Sequence, residues 1–490
     1  MKKFLSITLI AAVSALVSAQ ATNPKHEFRG AWMHTIGQRQ YKKPTAELQT
    51  YLIDQLDKLQ AAGVNAVLFQ VRHSADALYP SNLEPWSRFL TENGQAPDPY
   101  WDPLQFMIEQ AHARGMELHA WLNPYRVTTS KNEKLPKNHI FHKEPGRFVD
   151  YADNKKYFDP GLPENREFIT DVVMDIVNRY DVDGIHFDDY FYPYPVSGKD
   201  FPDNKSYKKY GKGMNRDDWR RQNVDMLIKD IHDAIAASSK PWVRFGVSPF
   251  GIWRNKSSDP RGSDTNGLQN YDALYADVLL WDKEGWVDYT LPQLYWELEH
   301  PRASTLTLCD WWNNAGLKQH LYIGQDVHNI MKHPDLAPST NPTQLDHKIQ
   351  LSRAAENVHG NCWWPGYAIT SNMEGVADSL STNQQSTVAL VPEYTWKTSV
   401  TPEPVTASLA SGKLTWSRPE VKGTTDDVNR FVVYRFDENT KTLDFNNPAN
   451  IVAVTYQTEY TPATPGIYAV TGLNRVNKEG KVGNTVVFKP

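Results

Sequence analysis

Across 490 residues the chain carries only two cysteines, Cys309 and Cys362. A disulfide-stapled scaffold is thereby excluded, and the absence of CxxC, HExxH or His-rich spacing argues against a structural or catalytic metal. Cys309 falls in a helical pattern and Cys362 in the strand-like run Asn361–Trp364, so two buried thiols are expected rather than one bridge. There is also no sustained basic run: 52 Lys and Arg against 57 Asp and Glu leave a net charge of -5, which excludes an electrostatic footprint for nucleic acid. No cofactor motif is present, and none is expected to be bound. After residue 17 no apolar run reaches the roughly 20 residues that a membrane-spanning helix requires.

What the chain does have begins at its first residues. Lys2 and Lys3 precede an apolar stretch, Phe4–Val17, and the small residues Val17-Ser18-Ala19 follow it. This is the pattern of a secretory signal peptide over 1–19, cleaved after Ala19. No cysteine follows the stretch to carry a lipid, so a soluble periplasmic or extracellular protein is expected. The 16 Trp and 24 Tyr suit either a well-packed interior or a carbohydrate surface, because aromatic planes stack on the apolar faces of sugar rings. The length exceeds the roughly 250 to 300 residues at which one core stops growing, which calls for a large and a small domain.

From about 27 to 385 short apolar runs alternate with helical patterns in eight pairs, the signature of an α/β (β/α)8 TIM barrel. The expected strands are Phe28–Thr35, Val64–Arg72, Met116–Asn123, Gly184–Asp188, Arg244–Ser248, Tyr289–Tyr295, His320–Gly324 and Gly360–Trp364. The expected helices include Ala46–Ala61, with Leu48, Leu52, Leu56 and Leu59 at helical spacing, and Asp102–Arg114, closed by Gly115. Further helices are expected over Asn165–Arg179, Asp217–Ala237, Tyr271–Glu284, Ala303–Ala315 and Thr343–Asn357, with a short one after Ser371. The segment Tyr125–Pro163 has little periodicity and reads as a long loop shaping a binding site. From 393 to 490 the character changes to short strand runs separated by turn residues, the pattern of a small immunoglobulin- or fibronectin III-like β-sandwich.

The run Val182–Pro193, VDGIHFDDYFYP, sets Asp188 and Asp189 where an apolar strand ends among aromatics. Barrel enzymes keep their chemistry at that end of their strands. A surface turn would also use Asp and Pro, but polar residues at the other strand ends complete a ring. They are Trp32, His34, Gln70, Arg72, Asp76, Asn123, Tyr125, Arg126, Ser248, Arg254, Gln293, Tyr295, Trp296, Glu297, Gln325 and Asp326. Glycoside hydrolysis needs an acid to protonate the leaving oxygen and a second group to stabilise the developing positive charge. Adjacent acids share a site only where the strand ends or bulges. Two divisions of labour remain open. In a substrate-assisted reaction Asp188 orients an N-acetyl group and Asp189 is the acid. In an ordinary retaining reaction one of them is the nucleophile, and the partner acid is Glu297, Asp76 or Asp326.

The chain resembles the glycosyl-hydrolase-like 10 family of bacterial envelope proteins through FRGAWMHT, FQVRHSADALYPS, PLQFMIEQAHARGMELHAWLNPYR, VDGIHFDDYFYP, FGVSPFGIWRN and PQLYW. These motifs span nearly the whole expected barrel, and beyond Leu380 the resemblance fades. It implies a TIM-barrel glycosidase acting on peptidoglycan glycan strands that have lost their stem peptides. Matching positions are Trp32, Arg72, Asn123, Tyr125, Arg126, Asp188, Asp189, Ser248, Arg254, Asp264, Gln293, Tyr295 and Trp296, whereas Glu297 lies just outside the motif. The expected site thus has Asp188 and Asp189 as catalytic acids, with Tyr190, Glu297 and the remaining matched positions contacting a polysaccharide. The alternatives are a polysaccharide-binding barrel without catalysis and a retaining glycosidase acting on another glycan.

Overall fold

The computed structural model describes residues 23–152, 154–336 and 342–489, so the expected signal peptide lies outside the described residues. The first strands in chain order are β1 (Phe28–Met33), β2 (Ala66–Arg72), β3 (Glu117–Leu122), β4 (Phe148–Tyr151) and β5 (Lys155–Phe158). They are followed by β6 (Gly184–Phe187), β7 (Arg244–Val247), β8 (Tyr289–Thr290), β9 (His320–Asp326) and β10 (Val358–Trp364). A closed barrel forms in the order β1-β10-β9-β8-β7-β6-β3-β2, and every neighbouring pair in it is parallel. This is the (β/α)8 architecture expected from the alternation of strands and helices. All residues of β1, β2, β3, β6 and β7 are buried, as parallel strands covered on both faces require.

The helices show how local sequence fixes the outer ring. In Thr45–Ala61 the buried side chains include Leu48, Leu52, Leu56 and Leu59, each worth roughly 2 kcal/mol when taken fully from water. Helix Pro103–Ala113 starts where the Asp102 side chain accepts the N–H groups of Leu104 and Gln105, a capping arrangement reinforced by proline at the first helical position.

Two elements depart furthest from their expected bounds. The sixth barrel strand pairs only over Tyr289–Thr290 because Pro292 has no N–H for a ladder. Beyond it the chain touches its neighbours through single bridges, Gln293 to Phe250 and to Gly324. The helix expected over Tyr271–Glu284 is two short ones, Asn270–Ala273 and Val278–Lys283. Tyr275 takes a left-handed φ of 56° between them, which a continuous helix does not allow. The short helix expected after Ser371 is present at Val376–Ser379, and a second short helix, Gly366–Thr370, precedes it. Within the long segment Tyr125–Pro163, β4 and β5 form an antiparallel hairpin, and Arg126 bridges to Tyr157.

The C-terminal strands are β11 (Ala407–Ala410), β12 (Lys413–Trp416), β13 (Val428–Phe436), β14 (Ile451–Thr455), β15 (Glu459–Tyr460), β16 (Gly466–Asn474) and β17 (Thr485–Phe488). They make one sheet in the order β11-β12-β15 and another in the order β14-β13-β16-β17. Leu414 and Trp416 of the first sheet share a core with Phe431, Val433, Tyr468 and Val470 of the second, so the two sheets form a sandwich.

This sandwich is docked against the foot of the barrel. Glu117, the first residue of β3, receives Arg244 Nη2 from β7 at 2.9 Å and Arg430 Nη1 from β13 at 3.0 Å. Burial alone would raise the Glu117 carboxyl, but the two guanidinium groups hold it low, at about 2. Nearby, the Tyr456 ring stacks on His112 at 4.0 Å, and His112 Nε2 lies 2.9 Å from Asp183. Gly115 sits at this seam with φ 72°, and a Cβ there would fall 2.2 Å from the Val454 carbonyl oxygen. Cys309 and Cys362 are buried free thiols, as expected.

Candidate active site

The opposite end of the barrel, at the C-terminal ends of the strands, opens into a cavity of about 390 Å³. Its floor is built from a polar column rising through the barrel axis. Glu117 Oε2 lies 3.1 Å from His119 Nε2, and His119 Nδ1 lies 2.9 Å from the Tyr289 hydroxyl. The same hydroxyl lies 3.0 Å from His186 Nδ1. His186 Nε2 accepts the Trp32 indole N–H at 3.2 Å; an indole can only donate, so the histidine carries its proton on Nδ1. Burial pushes His186 well below its ordinary value, and it stays neutral. Gly246 makes room for this column, because a Cβ there would overlap the Tyr289 ring at 2.0 Å.

β6 ends at Phe187, and the two acids follow directly, which releases them from the alternation of a strand. Both line the cavity. Asp188 Oδ1 accepts from Asn123 Nδ2 at 2.9 Å and from the Tyr190 N–H at 3.3 Å, and its Oδ2 accepts from Trp121 Nε1 at 3.1 Å. The Asn123 amide cannot reverse, since its Oδ1 accepts the Arg126 N–H at 2.9 Å. Asp188 therefore meets donors on both oxygens. Burial, followed by the charge of Asp189, lifts its carboxyl to about 6 against the opposing effects of Arg126, Trp121 and Asn123.

Asp189 is held differently. Its Oδ1 accepts from Gln293 Nε2 at 3.1 Å, and its Oδ2 is paired with the Tyr194 hydroxyl. Gln293 Nε2 also donates to the Ser248 carbonyl at 3.1 Å, which fixes that amide too. The Tyr194 hydroxyl alone can either donate or accept, so Asp189 Oδ2 tolerates a proton where the oxygens of Asp188 do not. Burial raises the Asp189 carboxyl, with the Tyr194 and Gln293 bonds opposing.

Of the expected contact residues, Trp32, Arg126, Tyr190, Ser248, Gln293 and Tyr295 line this cavity with the two acids. Arg126 lies over the Tyr190 ring at 4.1 Å and donates toward His73 Nε2 at 2.7 Å. Asn123 sits behind Asp188 as its donor. The remaining six are placed elsewhere. Arg72 is fully buried and forks onto Glu84 at 2.7 and 2.6 Å, bracing the loop after β2. Tyr125 is buried in the core. Arg254 is bound by Asp272 at 2.8 and 2.9 Å and by Asp259 at 3.0 Å. Asp264 is exposed, away from the cavity lining. The Trp296 ring packs edge-on against Phe250, and Glu297 follows it outside the lining.

The acids considered as partners from other strands are also occupied elsewhere. Asp76 accepts from Ser87 and Arg88, each at 3.0 Å, and Asp326 caps the helix Val327–Lys332. Among the described residues, Asp188 and Asp189 are the carboxylates that line the cavity. Among the described residues, no group of three or more His, Cys, Asp or Glu is arranged to hold a metal ion, and no helix is long and apolar enough to cross a membrane. The lining residues missed in the sequence are Ile36, His73, Trp121 and Trp364; the last three sit at or just beyond strand ends, which is the signal that could have found them.

Residues 27–338 match the family described as glycosyl hydrolase-like 10. The chain belongs to this family. As a glycosyl hydrolase-like 10 protein it is 42% identical over 407 residues to the glycosyl hydrolase YngK of Bacillus subtilis, covering 81% of this chain and 78% of that protein. It is 38% identical over 360 residues to the glycosyl hydrolase DigH of Escherichia coli K12, covering 68% of this chain and 81% of that protein. Solved structures with a similar fold include an endo-1,4-beta-mannanase from Rhizomucor miehei, with TM-score 0.45, 12% identity and coverage of 74% of this chain and 99% of that one. Another is the PgaB glycoside hydrolase domain from Bordetella bronchiseptica, with TM-score 0.42, 12% identity and the same coverage. The family and the relatives make the chain a glycoside hydrolase.

Proposed function

We propose that this protein is a secreted envelope enzyme that cleaves O-glycosidic bonds in peptide-free peptidoglycan glycan strands, with Asp189 as general acid and Asp188 as the carboxylate that orients the substrate's N-acetyl group. The observation carrying this reading is the unequal setting of the two acids. Asp188 faces only donors and is suited to remain ionised, accepting the acetamido N–H in addition, whereas Asp189 has the reversible Tyr194 hydroxyl on Oδ2. In the first step the acetamido oxygen bonds to the anomeric carbon as the glycosidic C–O bond breaks, and the leaving oxygen takes the Asp189 proton. Water then opens the cyclic intermediate and returns a proton to Asp189. Arg126, near both acids, balances their charge. The aromatic walls, Trp32, Trp121, Tyr190 and Trp364, supply flat surfaces for sugar rings.

Product analysis by mass spectrometry of the mature protein incubated with peptide-free peptidoglycan glycans, intact sacculi and chitin oligomers tests the substrate. Cleavage confined to the peptide-free strands is expected. Binding without cleavage of any glycan would make the barrel a polysaccharide-binding protein instead.

A further inference from the structure

Past Trp364, at the edge of the cavity lining, a series of ring contacts continues. The Trp364 ring, which faces Trp121 edge-on at 6.1 Å and Trp32 at 6.5 Å, is followed outward by the His34 ring at 4.8 Å. His34 is followed in turn by Tyr367 at 5.6 Å. Trp121 itself donates to Asp188, so an unbroken row of rings runs from the acid pair to the protein surface. Its last member, Tyr367, is 40% exposed. That ring is held in place: the His328 imidazole meets it edge-on at 5.7 Å, and His328 Nε2 lies 3.0 Å from its hydroxyl. His34 is tethered to Gln38 at 2.6 Å. On the opposite rim Tyr190 is 38% exposed, so an open ring stands on each side of the mouth.

We propose that Tyr367, with His34 beside it, is a distal sugar subsite, and that the chain binds a glycan strand laid across the mouth rather than a single terminal sugar. A fixed, partly exposed ring suits a pyranose: the ring takes the apolar face, and the Tyr367 hydroxyl at its rim can exchange hydrogen bonds with the sugar hydroxyls. A ring already immobilised by His328 loses little further freedom on binding, so its stacking appears as affinity. No glycan contact at Tyr367 is needed for the chemistry at Asp189, which predicts a contribution that depends on substrate length. This inference rests on the glycosidase reading given above.

The test compares kcat/KM for a peptide-free octasaccharide and a tetrasaccharide in the wild type, Tyr367→Ala and Tyr367→Phe. The octasaccharide-to-tetrasaccharide ratio is expected to fall about tenfold in Tyr367→Ala, the effect of losing one stacking contact, and to stay near wild type in Tyr367→Phe, which keeps the ring. A wild-type ratio in a folded Tyr367→Ala protein would overturn the subsite while leaving the glycosidase intact. Absence of cleavage of both substrates by the wild type would overturn the glycosidase reading and the subsite with it.

Discussion

Asn123 Nδ2 donates to Asp188 Oδ1 at 2.9 Å while Asn123 Oδ1 accepts the Arg126 N–H at 2.9 Å, so one amide both orients an acid and anchors the start of the loop that carries Arg126. Asn123→Ala removes both bonds and leaves a buried carboxylate oxygen short of a donor. Hydrogen bonds to charged groups contribute about 1.5 to 3 kcal/mol, which corresponds to a loss of roughly 10- to 100-fold in kcat/KM. Because the lost bond favours the ionised form, the pH limb assigned to Asp188 should also move upward; a lower rate with an unshifted profile would mean that Asn123 acts on the loop alone.

Asp188 imposes a pH-dependent cost on folding. Its carboxyl is raised from 3.8 to about 6, so between those values the folded state holds more protons than the unfolded one. Stability from this group falls as pH rises through that range, and the cost is complete above it. Relative to wild type, Asp188→Asn should therefore gain up to about 3 kcal/mol on going from pH 4 to neutrality. Denaturant unfolding of both proteins at the two pH values checks this; parallel stability curves would contradict it.

Lys348 is buried, with its ammonium against the carbonyls of Leu294 and Trp296 at 3.5 and 2.5 Å, and it thereby holds the segment that presents Gln293 and Tyr295. Burial lowers it from 10.5 to about 7, so between those values the unfolded state binds the extra proton and stability rises with pH. Lys348→Met should abolish this rise, worth up to about 5 kcal/mol. It should also loosen Gln293, seen as lower kcat at neutral pH. A variant that keeps both the pH dependence and the rate would remove Lys348 from this role.

Arg430 reaches from the sandwich to Glu117 at the barrel foot. Breaking a buried ion pair by removing one partner costs about 3 to 5 kcal/mol, and Arg430→Met is expected to lower stability by that order, measured by chemical denaturation. The barrel expressed without residues 393–490 should likewise be less stable, because Tyr394 and Val476 of that segment are packed into the barrel's core. A barrel with wild-type unfolding would show the sandwich to be an independent attachment.

Much of this was legible in the sequence. The eight strands followed from alternation of apolar runs and helical patterns, and the acid pair from its place at the end of the expected strand Gly184–Asp188, which in the structure stops one residue earlier, at Phe187. Strand ends also located Trp32, Arg126, Ser248, Gln293 and Tyr295. What strand-end position could not reveal was which polar groups face inward and which are used up by neighbours: Arg72 is taken by Glu84 and Arg254 by Asp272, partners that only the folded loops supply. The docking of the sandwich was equally hidden, because Arg430 and Glu117 are remote in the chain and nothing local to either marks the contact. The shortened sixth strand could have been read from Pro292.

The most direct test of the account is product analysis by mass spectrometry with Asp188→Asn and Asp189→Asn beside the wild type on peptide-free peptidoglycan glycans, after thermal unfolding has shown each variant to be folded. Cleavage should fall by about 10²- to 10⁴-fold in Asp189→Asn, the range for loss of a general acid, and comparably in Asp188→Asn. Folded variants that cleave at the wild-type rate would contradict the assignment of catalysis to this pair.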